Sequence, residues 1–296
     1  MHAPGHLITP LEPAAPNGRR VVAQAAAVAQ HSLHTTAFRR IEAAVATSCG
    51  SQHDRNEDAH SALNHPGQLF VVADGVGGGA MAQLASRQLV SHLHAELDAG
   101  PLDAGRVRAA MLGADRAIAQ RIAQVTDAPG AATVALCAPV ILFGSKWLVG
   151  WVGDCRVYRF GMSRPPSFEM LTRDDTFRHL DELPPAGGSP DDPARMVGNG
   201  AISDANVALH ELACGDLLVL CSDGVHKYVD ADDWARLLAQ PLPLTRRCEG
   251  LITLARANGS TDDAPVLLLR RARFVMPRPR WMTRWVEPVD KHRTPR

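Results

Sequence analysis

The sequence predicts an α+β fold in which packed antiparallel sheets are covered by helices. Two observations carry this. Eight short, apolar or β-branched segments bounded by turn residues outnumber the helical stretches. Those helical stretches come in pairs between groups of strands, an order that argues against a parallel sheet of strand–helix–strand units.

In chain order, residues 1–39 are rich in Ala, His and Pro without a sustained period, and read as a weakly structured extension. A short helix over Val21–Gln30 is the one element that segment suggests. Strands are expected at Ile41–Ser48 and Gln68–Ala73, then helices at Ala80–Leu97 and Gly105–Val125. The first helix carries Leu84, Leu89, Leu93 and Leu97 near helical spacing with polar residues between them. Three strands follow, at Ala132–Leu142, Trp147–Val152 and Arg156–Phe160. From Leu171 to Asn206 the composition turns to Asp, Pro and Gly, the mark of a long loop or flap, and loops of that length are usually functional or mobile. Strands at Ala208–Leu212 and Leu217–Cys221 precede helices at Ala231–Ala239 and Leu244–Ala257, separated by Pro241 and Pro243. Pro265–Arg270 reads as the last strand. The domain is therefore expected over residues 40–272, followed by a basic tail at 273–296.

Composition narrows the function classes. With 46% hydrophobic and only 5% aromatic residues among 296, Val, Leu and Ala must fill the core. The 31 Lys and Arg balance 31 Asp and Glu, so no bulk attraction to nucleic acid or an anionic membrane is expected. From Arg270 to Arg296, nine basic residues stand against two acids, which reads as a solvated tail, with docking through Trp281 and Trp285 as the alternative. The six cysteines contain no Cys-x-x-Cys pair, which gives no sign of a zinc ribbon or a disulfide framework. No apolar run approaches the roughly 18 residues of a membrane span, and no secretory leader pattern opens the chain. A cytoplasmic protein is expected.

The chemistry sits in four aspartate motifs at strand ends: Asn56-Glu57-Asp58, Ala73-Asp74-Gly75, Ser222-Asp223-Gly224 and Thr261-Asp262-Asp263. In the second and third, an apolar β-run (LFVVA, LLVLC) ends in Asp-Gly. A rigid strand fixes the carboxylate, while glycine permits a turn and close approach of the backbone. Converging carboxylates repel unless cations neutralise them, and hard divalent ions take oxygen ligands. Each Asp-Gly pair alone is an ordinary turn signal. The ordered set is not.

Together with Gly153-Asp154-Cys155-Arg156 and Leu171-Thr172-Arg173-Asp174, this set resembles the metal-dependent protein phosphatases of the 2C type from about Ala46 to Arg270. The resemblance implies a four-layer α-β-β-α sandwich, two antiparallel sheets flanked by helix pairs. It implies that Asp74 bridges two Mn²⁺ or Mg²⁺ ions, that the Gly75 carbonyl ligates one, and that Asp223 and Asp262 hold the other. Glu57 and Asp58 would orient water, and Asp154 would bind a third ion. The implied reaction is direct attack of metal-activated water on phosphoserine or phosphothreonine in a protein substrate. The enzyme is expected to act as a monomer opposite a Ser/Thr kinase.

Three positions depart from the family pattern. His53 stands where the phosphate-binding arginine is usual; Arg55, two residues on, points to the same side of an extended segment, so either could contact substrate phosphate. Val76 replaces a histidine that protonates the leaving group in eukaryotic members. Asp263 and Pro265 replace the usual Asn and Thr, adding negative charge beside the site. An inactive relative serving as a binding or sensing module is the alternative. A two-metal nuclease would be expected to show a basic groove, and the core is not notably basic.

Overall fold

In the computed structural model, residues 27–36, 40–51, 53–65, 67–140, 145–163 and 165–272 are described. Their strands form two sheets, all paired antiparallel. The first has the order β1-β2-β11-β10-β7-β8, built from β1 (Val28–Thr35), β2 (Arg40–Thr47), β7 (Arg156–Gly161), β8 (Ser167–Met170), β10 (Leu217–Cys221) and β11 (Val266–Ala272). The second has the order β3-β4-β5-β6-β9, from β3 (Ala59–His60), β4 (Phe70–Val76), β5 (Ala131–Pro139), β6 (Lys146–Val152) and β9 (Asn206–Glu211). Six helices lie among the described residues: α1 (Ala80–Leu97), α2 (Ala104–Ala123), α3 (Phe177–Leu180), α4 (Asp223–His226), α5 (Ala231–Leu238) and α6 (Leu244–Ala257).

The layering follows from the two-residue period of a strand. Phe70 and Val72 of β4 face the space between the sheets, where they join Trp147, Leu218, Leu220, Leu267 and Leu269. Val71 and Ala73 face the other way, onto Leu89 and Leu93 of α1 and Val107, Met111 and Ile118 of α2. Across the sandwich, Val219 of β10 and Leu268 of β11 turn outward onto Trp234, Leu251 and Ile252 of α5 and α6. Central strands buried on both faces are continuous apolar runs rather than alternating ones. That is why LFVVA and LLVLC lack polar partners.

The two main helix pairs lie close to where the sequence put them. Asp103 caps α2 by accepting from Arg106 N–H at 2.8 Å, and Asp230 caps α5 by accepting from Asp233 N–H at 2.8 Å. Two differences stand out. β1 falls inside the segment read as weakly structured, and residues 27–30 of the helix expected over Val21–Gln30 are not helical; residues 21–26, like the basic tail, lie outside the described residues. All eight residues of β1 pair with β2, yet most are exposed and none is fully buried, with Val28 at 64% and Leu33 at 45%. Backbone hydrogen bonds hold this edge, so no apolar period announces it. The short edge strand β8 was missed for the same reason; only Phe168 packs inward, stacked on Tyr158 and Trp234.

The Asp-Pro-Gly segment between β8 and β9 is a pinned loop. Asp115 of α2 accepts from the N–H groups of Gly198 and Gly200 at 2.7 and 3.0 Å. Asp175 accepts from Gly153 N–H at 3.1 Å and from the Asn206 amide at 2.9 Å. Val197 bridges to Ala132 of β5.

Candidate metal centre

The acidic motifs arrive at one place from both sheets. Asp58 immediately precedes β3, Asp74 sits on β4, Asp154 lies in the β6–β7 turn, Asp223 opens α4 after β10, and Asp262 lies in the loop before β11. Asp74 interacts electrostatically with Asp58, Asp223, Asp154 and Asp262, and its carboxyl lies within hydrogen-bonding reach of Asp58 and Asp223.

Glycine acts here through close approach rather than through a turn. β4 continues through Asp74 and Gly75 to Val76, with Asp74 opposite Thr133. A Cβ on Gly75 would meet the Ala82 carbonyl oxygen at 2.5 Å and the Glu57 carbonyl oxygen at 2.7 Å. A Cβ on Gly224 would run into the Asp263 carbonyl. The turn itself comes later, at Gly77, Gly78 and Gly79, each with positive φ.

Burial and mutual repulsion dominate the electrostatics. Desolvation, then the charges of Asp58, Asp223, Asp154 and Asp262, push the Asp74 carboxyl well above its usual range. Asp58 is raised likewise, first by burial and then by Asp263, although Ser222 Oγ donates to it at 2.9 Å. Burial and Asp223 raise Asp154 to about 7. Burial also works against ionised Asp223, but the Lys227 ammonium, 2.8 Å away, outweighs it and holds this carboxyl below its ordinary value. Desolvation, then Asp223, raises Asp262.

This donor set fits divalent cations. All five side chains offer hard oxygen, and Asp154 Oδ2 is buried with no hydrogen-bond partner, facing Lys227 Nζ at 3.7 Å. Like charges this close, held out of water, need positive charge among them. Lys227 supplies part of it.

The remaining expected residues have mixed surroundings. Glu57 is buried and accepts from Gly79 N–H, at the start of α1, at 2.5 Å. His53 and Arg55 line a cleft of about 460 Å³ together with Asp54, Glu57, Gly79, Ala80 and Gln83. Arg55 is exposed on its wall. His53 Nδ1 lies 3.2 Å from Asp263 Oδ2 and 3.8 Å from Asp262 Oδ1. Burial opposes its protonation, yet the Asp263 hydrogen bond and the charges of Glu57, Asp263 and Asp262 prevail and raise its pKa. The Asp263 carboxylate is a brace as well as an added charge. It accepts from Gly50 N–H at 2.7 Å and from Glu57 N–H at 2.6 Å.

Residues 45–256, most of the chain, match the family described as Protein phosphatase 2C. The chain belongs to the protein phosphatase 2C family. Among curated relatives, the serine/threonine protein phosphatase PstP of Mycobacterium tuberculosis is 27% identical over 213 residues, 68% of this chain and 40% of PstP. The chain thus spans about two-fifths of that relative's length. PppA, described as a regulatory component of the type VI secretion system in Pseudomonas aeruginosa, superposes with a TM-score of 0.66 at 25% identity, covering 78% of this chain and 97% of that one. The PstP catalytic domain in complex with two manganese ions has the same fold, with a TM-score of 0.66 at 23% identity over 79% of this chain and 99% of that one.

Several contacts of this candidate site were not read from the sequence. Lys227 is four residues after Asp223, one helical turn on, and that spacing was its only signal. Arg256 of α6 donates to the carbonyls of Asp262 and Ser48, steadying the terminal acidic loop. Arg156 forms a bidentate pair with Asp174, through Nε at 2.9 Å and Nη2 at 2.6 Å. Of these contacts, the one from Arg256 to Ser48 spans 208 residues of chain.

Proposed function

We propose that this chain is a metal-dependent protein serine/threonine phosphatase that hydrolyses phosphoserine and phosphothreonine in proteins. The observation that carries the reading is the convergence of five buried or half-buried carboxylates, from Asp58, Asp74, Asp154, Asp223 and Asp262, on one place beside an open cleft. Family membership and the two manganese ions of the PstP catalytic domain support it.

Asp74, Asp223, Asp262 and the Gly75 carbonyl would hold a pair of Mn²⁺ or Mg²⁺ ions, and Asp154 a third. Bound there, such ions supply Lewis acidity that acidifies water and neutralises phosphoryl charge. The chain's own groups do the rest. Glu57 and Asp58 orient the attacking water, Ser222 fixes the Asp58 carboxyl, and Asp263 braces the Glu57 backbone. Arg55 and protonated His53 bind the substrate phosphate from the cleft wall. Val76 carries no proton, so water protonates the leaving alkoxide. Residues 40–272 form the catalytic unit, with β1 as an added edge strand. We further read the protein as a cytoplasmic monomer that reverses the work of a Ser/Thr kinase; no helix among the described residues is long and apolar enough to cross a membrane.

With Mn²⁺ present, the purified protein should turn over phosphothreonine peptides faster than phosphotyrosine peptides. Faster phosphotyrosine turnover makes the substrate class wrong. Arg55→Ala and His53→Ala test the phosphate contact. At least one should lower kcat/KM by about tenfold, the effect of about 1.4 kcal/mol lost from a charge-assisted contact. Less than a few-fold loss in both would take these side chains out of substrate binding.

A further inference from the structure

We propose that His65, His94 and Asp98 form a second metal site, away from the phosphatase centre, that binds one divalent ion of the zinc class. The three side chains come from the loop between β3 and β4 and from the C-terminal end of α1. His65 Nδ1 and His94 Nδ1 both address Asp98 Oδ2, at 2.9 and 2.8 Å. The imidazoles lie one over the other with ring centroids 4.4 Å apart and planes tilted by 35°. The three donor atoms lie within 4.8 Å of one another.

α1 starts beside the cleft, where Gly79 N–H meets Glu57, and runs away from it. His94 is fourteen residues beyond Ala80, about 20 Å along the helix at 1.5 Å per residue. The trio is therefore separate from the carboxylates that surround Asp74.

Proton placement argues for a cation. His65 Nδ1 is approached both by Gly67 N–H at 3.3 Å and by Asp98 Oδ2 at 2.9 Å, and it cannot accept from the one and donate to the other at once. A cation bound by the nitrogen and the carboxylate resolves that conflict. Asp98 Oδ1 is buried and has no hydrogen-bond partner. Gly67 passes so close to Asp98 Oδ1 that any Cβ there would collide with it, and the loop thereby closes over the carboxylate. On its outer side, His94 Nε2 lies 2.8 Å from Ser61 Oγ, which also accepts from Val71 N–H at 2.7 Å. A histidine that ligates through one nitrogen is typically held in this way through the other.

Two imidazoles and one carboxylate suit Zn²⁺, Co²⁺ or Ni²⁺ rather than Mg²⁺, which prefers oxygen alone. Ligand distances of about 2.0–2.2 Å put tetrahedral donors about 3.4 Å apart, so the present contacts need open by only about half an ångström. Side-chain exposures of 9% for His94, 15% for Asp98 and 37% for His65 leave the fourth position to water. The ion would tie the β3–β4 loop to the end of α1.

The test is thermal unfolding of the full chain in saturating Mg²⁺, with and without added Zn²⁺. Zinc at about 100 times its dissociation constant should raise the midpoint by about 5 °C or more. His65→Ala and Asp98→Asn should each abolish the rise, while His65→Ala keeps Mn²⁺-dependent turnover within about twofold of the parent. Asp223→Asn, altered at the other centre, should keep the rise. Bound Co²⁺ should give visible absorption bands that vanish in His65→Ala. No rise in the parent, or an equal rise in His65→Ala and Asp98→Asn, overturns the proposal.

Discussion

Asp74→Asn should lower kcat/KM by on the order of 10³-fold, about 4 kcal/mol of transition-state stabilisation, and should raise the thermal midpoint of the metal-stripped protein. The two effects have one cause. Asp74 is the carboxyl around which Asp58, Asp154, Asp223 and Asp262 gather, and its ionised form is resisted by burial and by each of them. An amide of nearly the same shape removes the central charge, so the repulsion that destabilises the empty site falls. The same change removes the ligand proposed to bridge two cations, so added Mn²⁺ should no longer stabilise the protein as it does the parent. Steady-state kinetics on a phosphothreonine peptide and melting curves in chelator, then in Mn²⁺, measure both. Retained turnover would remove Asp74 from the chemistry. A lower midpoint in chelator would mean that its charge is compensated without metal.

In chelator the folded protein should lose stability as pH rises above about 6.5, and saturating Mn²⁺ should abolish that loss. Asp154 titrates at about 7 in the folded protein, and Asp58 and Asp74 are also raised well above the ordinary carboxyl range. An unfolded Asp has released its proton by about pH 5, so over this window the native state binds more protons than the unfolded one. Stability then falls with pH, by about 1.4 kcal/mol per pH unit for each proton retained. His53, whose pKa is raised, adds to the same fall. Histidines with lowered values oppose it at lower pH. Burial first, and then Arg156, lower His226 to about 4, and burial likewise lowers His60 and His94. Those groups favour folding as pH rises toward about 6.5 and add nothing above it, because they are then neutral in both states. Below about pH 6.5 the histidines offset the acids, and above it the fall is unopposed. Urea midpoints across this range decide the matter, and the fall should be shallower in Asp154→Asn. A curve that is level above neutrality would show that the acids ionise freely without cations.

The four longer helices were legible because their signals are local, whereas the single-turn α3 and α4 were not. Leu89, Leu93 and Leu97 recur on one face of α1, Asp103 and Asp230 cap their helices, and Pro241 and Pro243 break the chain between α5 and α6. The central strands were legible as apolar runs for a related reason: burial on both faces leaves no polar position. Three edge strands, β1, β3 and β8, carry no such mark. β1 and β8 are held by backbone pairing with β2 and β7, and a backbone ladder is indifferent to side-chain type.

The sequence by itself determined the fold class, the family pattern and the identity of the acidic residues, since each rests on short-range spacing or on residue type. Only the tertiary structure decided how those residues meet. Gly75 and Gly224 are required by backbones that approach from Ala82, Glu57 and Asp263, not by turns of their own. Asp263 works as a clamp on Gly50 and Glu57, more than two hundred residues away. Lys227 places a positive charge between Asp223 and Asp154. Charge interactions and close contacts depend on distance in space, and chain order says little about distance once two sheets have folded face to face.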